Sequence, residues 1–159
     1  MKKVIVLLLV LVVYAGFTFA AQKARDGRFI AYDNGTVLDT KTNLMWAAKD
    51  NGYNIGWSAA KSYCENYRGG GYSDWRMPTL AELEGLYDSS KSRPEACDTK
   101  YNIHVATELI DITCTAPWTS ETRDNLFAGF FRFDNGSRNW YIQSSDGSYI
   151  RALPVRSGK

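Results

Sequence analysis

Histidine is almost absent from this 159-residue chain: His104 stands alone. A centre built on several histidines is therefore excluded, and Cys64, Cys97 and Cys114 lack the Cys-x-x-Cys spacing of a zinc site. No metal and no cofactor is expected. Paired catalytic acids are missing too. Glu82 and Glu84 are spaced so that they fall on different sides of a helix, and a glycosidase is left without its second carboxyl group. Gly69-Gly70-Gly71 has neither a Gly-Lys-Ser/Thr continuation nor a dinucleotide pattern, and it reads as a helix stop rather than a phosphate cradle. A Cys64–His104 nucleophilic pair needs only proximity in space, but Cys64 falls on an apolar helix face, where a free cysteine is ordinarily buried. No catalytic residue is assigned, and the chain is read as a non-enzyme.

A surplus of basic charge is missing as well. The formal net charge of +2 rests on Lys2 and Lys3; without them 17 basic residues face 17 acidic ones. With no Lys/Arg run and no recognisable nucleic-acid module, a nucleic-acid partner is not expected. Long linkers, heptads, low-complexity tracts and internal repeats are also lacking, so the chain beyond its first segment reads as one domain.

That first segment is Met1-Lys2-Lys3, an apolar run from Val4 to Val13 that continues to Phe19, and Ala20. A charged start, a short apolar stretch and a small final residue make residues 1–20 a secretory signal peptide, with cleavage expected before Ala21. An uncleaved anchor is the alternative, although the run is short for a membrane span. No cysteine follows to take a lipid. Residues 21–159 are thus expected to be exported, periplasmic or extracellular, with no membrane span after cleavage.

Within that domain, Phe29-Ile30-Ala31-Tyr32 and Thr36-Val37-Leu38 flank Asn34-Gly35, a pair suited to a two-residue hairpin turn because both positions tolerate positive φ. Leu44-Met45-Trp46 is a further short strand. A helix is expected from about Ser58 to Tyr67, with Ala60, Tyr63, Cys64 and Tyr67 on one face and the three glycines ending it. A second helix opens at Thr79, where Glu82 completes a capping box and Pro78 blocks backward extension. Leu80, Leu83, Leu86 and Tyr87 give it an apolar face. Losing Thr79 is expected to cost more than losing Glu82, which supplies one side of the reciprocal pair. From Asp88 to Pro117 the pattern dissolves, and strands resume over Leu126–Phe133, Trp140–Ile142 and Tyr149–Val155, with turns at Asn135-Gly136 and near Asp146-Gly147. Two early helices followed by a strand meander indicate an α+β domain.

Asp74-Trp75-Arg76-Met77-Pro78-Thr79 resembles the signature of the Lcl C-terminal domain family, named after the Legionella collagen-like adhesin. The opening Asn34-to-Trp46 block, Trp57-to-Cys64, Gly71-to-Arg76, Trp118-Thr119-Ser120 and Val155-Arg156-Ser157-Gly158 are similar to further family blocks, in order. The resemblance implies a C-type-lectin-like domain over residues 21–159, with two early helices and a twisted antiparallel sheet, and a surface or envelope role without an established reaction. The collagen-like repeats of the namesake are absent. So are the Glu-Pro-Asn and Trp-Asn-Asp motifs of calcium-dependent lectins, and calcium dependence is not predicted.

In an exported chain three cysteines can form one disulfide and leave one thiol. Cys97 and Cys114 flank the least regular stretch, and closing it contributes roughly 3 kcal/mol in the chain-entropy picture. The family's helix cysteine commonly has a partner in the final strand, where this chain has Pro154. The expected pairing is therefore Cys97–Cys114, with Cys64 a buried free thiol; intermolecular pairing through an exposed Cys64 is the alternative. Trp75 and Arg76 are candidate ligand contacts, one as a flat face for a sugar ring and the other as a fork for a carboxylate or sulfate. The competing reading makes Trp75 core and Arg76 a tie to a strand or an acid such as Asp74. Loops Lys49–Asn54 and Arg93–Asp111 are the broader places for recognition. The leading functional reading is an exported, non-enzymatic binding or adhesion module for a glycan or an envelope protein. The alternatives are an enzyme of the formylglycine-generating lectin-like type, whose active cysteines would lie where this chain has none, and a structural subunit of an envelope assembly.

Overall fold

The computed structural model describes residues 20–158; the signal-peptide assignment falls on residues 1–20, of which 1–19 lie outside the described residues. The described residues begin with strands β1 (Gln22–Asp26), β2 (Phe29–Tyr32), β3 (Thr36–Asp39) and β4 (Leu44–Ala47), an antiparallel meander. Helices α1 (Trp57–Asn66) and α2 (Leu80–Glu84) follow. A small ribbon, β5 (Arg93–Pro94) with β6 (Asn102–Ile103), interrupts the polar excursion. A second meander runs through β7 (Ala116–Arg123), β8 (Phe127–Arg132) and β9 (Ser137–Ile142), and the chain finishes with β10 (Ile150–Arg151) and β11 (Val155–Ser157).

The expected α+β class with two early helices is present, but in place of a single antiparallel sheet there are two larger sheets beside the β5–β6 ribbon. One has the order β1-β2-β3-β4-β11 and the other β10-β7-β8-β9, with β10 parallel to β7. The run read as one final strand is divided because Pro154 cannot donate to a ladder. Ile150–Arg151 joins β7, while Val155–Ser157 crosses to β4. Strand β1 escaped the sequence reading because Gln-Lys-Ala-Arg-Asp is polar, as suits a mostly exposed edge strand.

The turns also differ from expectation. Gly35 and Gly136 take positive φ but Asn34 and Asn135 do not, so these are longer loops built with one left-handed residue. The two-residue pattern occurs at Asp124 and Asn125, both at φ 52°, where the Leu126 N–H bonds the Arg123 carbonyl at 3.0 Å. Helix α1 stops before the glycines, which form a separate 3-10 turn.

Two apolar clusters hold the layers. Phe29, Val37, Trp46, Leu83, Phe131 and Val155 belong to the larger, which joins the five-stranded sheet to α2 and β8. Each such large side chain, fully buried, contributes about 2 kcal/mol. Ala60 and Cys64 of α1 meet Met77, Trp118, Ala128 and Ile150 in the smaller. Both tryptophans at this junction satisfy their N–H groups: Trp118 donates to the Ile55 carbonyl at 2.6 Å and Trp57 to the Thr119 carbonyl at 2.8 Å. Among the described residues no helix is long and apolar enough to cross a membrane.

Candidate functional site

The block around Trp75 is built into the fold. Trp75 is 3% exposed, donates its indole N–H to the Gly69 carbonyl at 3.1 Å and packs edge-on with Tyr67 and Tyr72. Arg76 forks onto Glu82 at 2.6 and 2.8 Å, while its backbone exchanges two hydrogen bonds with Val155 of β11. Asp74 does not pair with Arg76; it accepts from Arg156 of β11 at 2.6 and 3.1 Å.

The capping box forms in both directions: the Glu82 N–H donates to Thr79 Oγ1 at 3.2 Å, and the Thr79 N–H to Glu82 Oε2 at 2.8 Å. Glu121 of β7 adds a cap that the sequence does not announce, accepting from the Leu80 N–H at 2.8 Å. Burial pushes the Glu82 carboxyl upward, but the Arg76 guanidinium and the Thr79 N–H outweigh it and hold the group below its ordinary value.

Cys97 and Cys114 are joined, with Cα atoms 5.4 Å apart, and Cys64 is a fully buried free thiol. Burial, with a smaller contribution from the Glu65 charge, pushes the Cys64 thiol up to about 12. His104 stands elsewhere, against Tyr87 and bonded through Nδ1 to the Lys91 carbonyl at 2.6 Å. The Glu95 carboxylate lies within 4.8 Å of both bridged sulfurs, which as a disulfide offer no thiolate to a metal.

Beside this disulfide opens a cleft of about 460 Å³ that has three exposed tyrosines on its walls. Tyr101, Tyr141 and Tyr149 are 53%, 51% and 62% exposed. They come from three separate segments. Tyr101 ends a turn in which its N–H bonds the Asp98 carbonyl, and the Glu95 N–H in turn bonds the Tyr101 carbonyl. Tyr141 pairs with Ala128 across β8 and β9, which places it on the sheet face that also carries Phe130 and Arg132. Tyr149 is a non-glycine residue at φ 62°, a conformation that costs about 1 kcal/mol or more and needs support from its surroundings.

That support is a polar network, exposed at Asn54 and buried at Asp50, Thr113 and Arg151. Asn54 Oδ1 accepts from the Tyr149 N–H at 3.1 Å and from Arg151 Nη1 at 2.5 Å. Arg151 also reaches Thr113 Oγ1 and Cys114 Sγ, each at 3.1 Å. Thr113 donates its N–H to Asp50 at 2.7 Å and its hydroxyl at 2.9 Å. Burial pushes the Asp50 carboxyl up, against the pull of Thr113, Gly52 and Arg151. Loop 49–54, the disulfide and the last turn before β10 are thereby locked to one another.

Trp75 and Arg76 do not line this cleft. Glu95, Asp98 and Tyr101 fall in the Arg93–Asp111 loop and Asn54 in the Lys49–Asn54 loop, whereas Tyr141 and Tyr149 were missed. Their signal was an aromatic beside polar residues at the end of a strand, which alone does not separate a surface tyrosine from a core one.

No curated protein matches the chain. Residues 35–156 match the Lcl C-terminal domain, an interval that includes the capping box, the disulfide and all three tyrosines of the cleft. On that match over most of its length, the chain belongs to the Lcl C-terminal domain family.

Proposed function

We propose that this chain is an exported, non-enzymatic binding or adhesion module with a C-type-lectin-like fold, acting in the periplasm or outside the cell, and that its ligand is a glycan held in the tyrosine-lined cleft. The observation that carries the reading is the convergence of Tyr101, Tyr141 and Tyr149 on one cleft, with Tyr149 kept in a strained conformation by Asn54. Backbone strain is retained where surrounding structure fixes it and function uses it. Tyrosine gives a rigid apolar face and a polar tip, the combination that the two-sided surface of a sugar ring requires. The cleft volume lies in the range of small-ligand sites. The Cys97–Cys114 disulfide supports an oxidising location.

A second reading, in which the ligand is an envelope protein, is favoured by Leu126 in the turn before β8 and Ile142 at the end of β9, 50% and 39% exposed. A glycan array run beside a pull-down from envelope extract decides between them. Sugar hits that disappear with Tyr149→Ala support the glycan reading. A protein partner captured in the absence of any sugar hit favours the other.

A further inference from the structure

Glu95 lines the cleft although it is only 2% exposed. Among the described residues its carboxylate receives one hydrogen bond, from the Thr115 hydroxyl, and forms no ion pair with a lysine, arginine or histidine. Arg132, which also lines the cleft, and Arg151 interact with this carboxylate electrostatically but make their hydrogen bonds elsewhere. Arg132 forks onto Asp134, through Nε at 2.9 Å and through Nη2, and Arg151 is held by Asn54, Thr113 and Cys114. Asp98 adds a second acid at the cleft. A carboxylate withdrawn from water without a salt-bridge partner is destabilising.

The walls complement such a charge. Tyrosine faces attract a cation through the ring quadrupole, and Tyr101, Tyr141 and Tyr149 line the same cleft as Glu95. We propose that the cleft recognises a protonated amino group carried on a sugar ring: a glycan containing free-amine hexosamine, with the ammonium against Glu95 and the ring on the tyrosines. This deepens the glycan reading and rests on it. A hexosamine whose nitrogen is acetylated has no charge to offer Glu95.

Calorimetric titration of the protein with a glucosamine tetramer and with the corresponding N-acetylglucosamine tetramer, at a pH where the amine is protonated, tests this directly. The amine form is expected to bind about tenfold tighter or better, the increment of a charge-assisted hydrogen bond. Glu95→Gln, which keeps an acceptor for Thr115, should remove that advantage. Asp98→Asn, at a less buried position, should reduce it in part and serves if Glu95→Gln does not fold. Equal binding of the two tetramers, or tighter binding of the acetylated one, overturns the ammonium proposal while leaving a sugar-binding cleft. Failure of both tetramers to bind overturns this proposal, and a glycan array without hits then removes the glycan reading as well.

Discussion

Glu82 does more than close a capping box. Its carboxylate also grips Arg76, whose backbone is tied to β11, so the side chain joins α2 to the C-terminal strand. Thr79→Ala is expected to destabilise by about 1 kcal/mol, the size of a lost N-cap. Glu82→Ala should cost at least as much, the reverse of what the reciprocal box suggests from sequence. Because its folded-state pKa is depressed, Glu82 contributes stability above the ordinary carboxylate range and loses it as pH falls through its folded value. Urea midpoints should show Glu82→Gln trailing the wild type at about pH 7 and drawing level near about pH 3; the same gap at both would contradict the assignment. Cys64 obeys a different rule. Fully buried, with its thiol pushed up to about 12, it has almost no thiolate at neutral pH. Alkylation of the native protein should leave it unlabelled, and unfolding without reductant should expose it alone; a Cys64-linked dimer would refute this.

At the scale of elements, local periodicity made much of the fold readable. The β2–β3 hairpin, α1 and the start of α2 lie where apolar spacing and capping chemistry put them, since those signals are carried by residues a few positions apart. The parallel pairing of β10 with β7 was not readable, because two-residue strands have too few side chains to show a period and their partner lies over thirty positions away in the chain. The position of Gly147 explains how that pairing is reached. A Cβ there would lie 1.8 Å from the Ile55 carbonyl oxygen, and its φ is +70°, so only glycine lets the turn before β10 press against the start of α1. Gly147→Ala is expected to destabilise by about 2 kcal/mol or more, seen as a lowered urea midpoint; an unchanged midpoint would mean that the two segments do not touch. The disulfide acts on the neighbouring loop. It closes a separation of 17 residues that contains β6, whose partner strand β5 lies just before Cys97. Replacing both Cys97 and Cys114 by serine should cost about 3 kcal/mol, and a midpoint within error of the wild type would show that the ribbon is held by packing alone.

At the scale of the whole molecule, two sheets and a locked set of loops bring together residues that no local pattern associates. Tyr101, Tyr141 and Tyr149 lie in an irregular loop, an edge strand and a turn, and each alone resembles an ordinary tyrosine. Trp75 and Arg76 show the converse. A conspicuous motif offers both a ligand reading and a scaffold reading, and its residues join the glycine turn, α2 and β11. The site could be located only to its loops, because which side chains converge is decided by long-range pairings such as Asn54 with Tyr149. The measurement that tests the account most directly is the affinity of a sugar identified on the array for the wild type and for Tyr101→Ala/Tyr149→Ala, with urea midpoints measured in parallel. Both side chains are more than half exposed, so the variant should stay folded while binding falls about a hundredfold, the scale for losing two interfacial tyrosines. Undiminished affinity in a folded double variant would contradict the assignment of the cleft as the binding site.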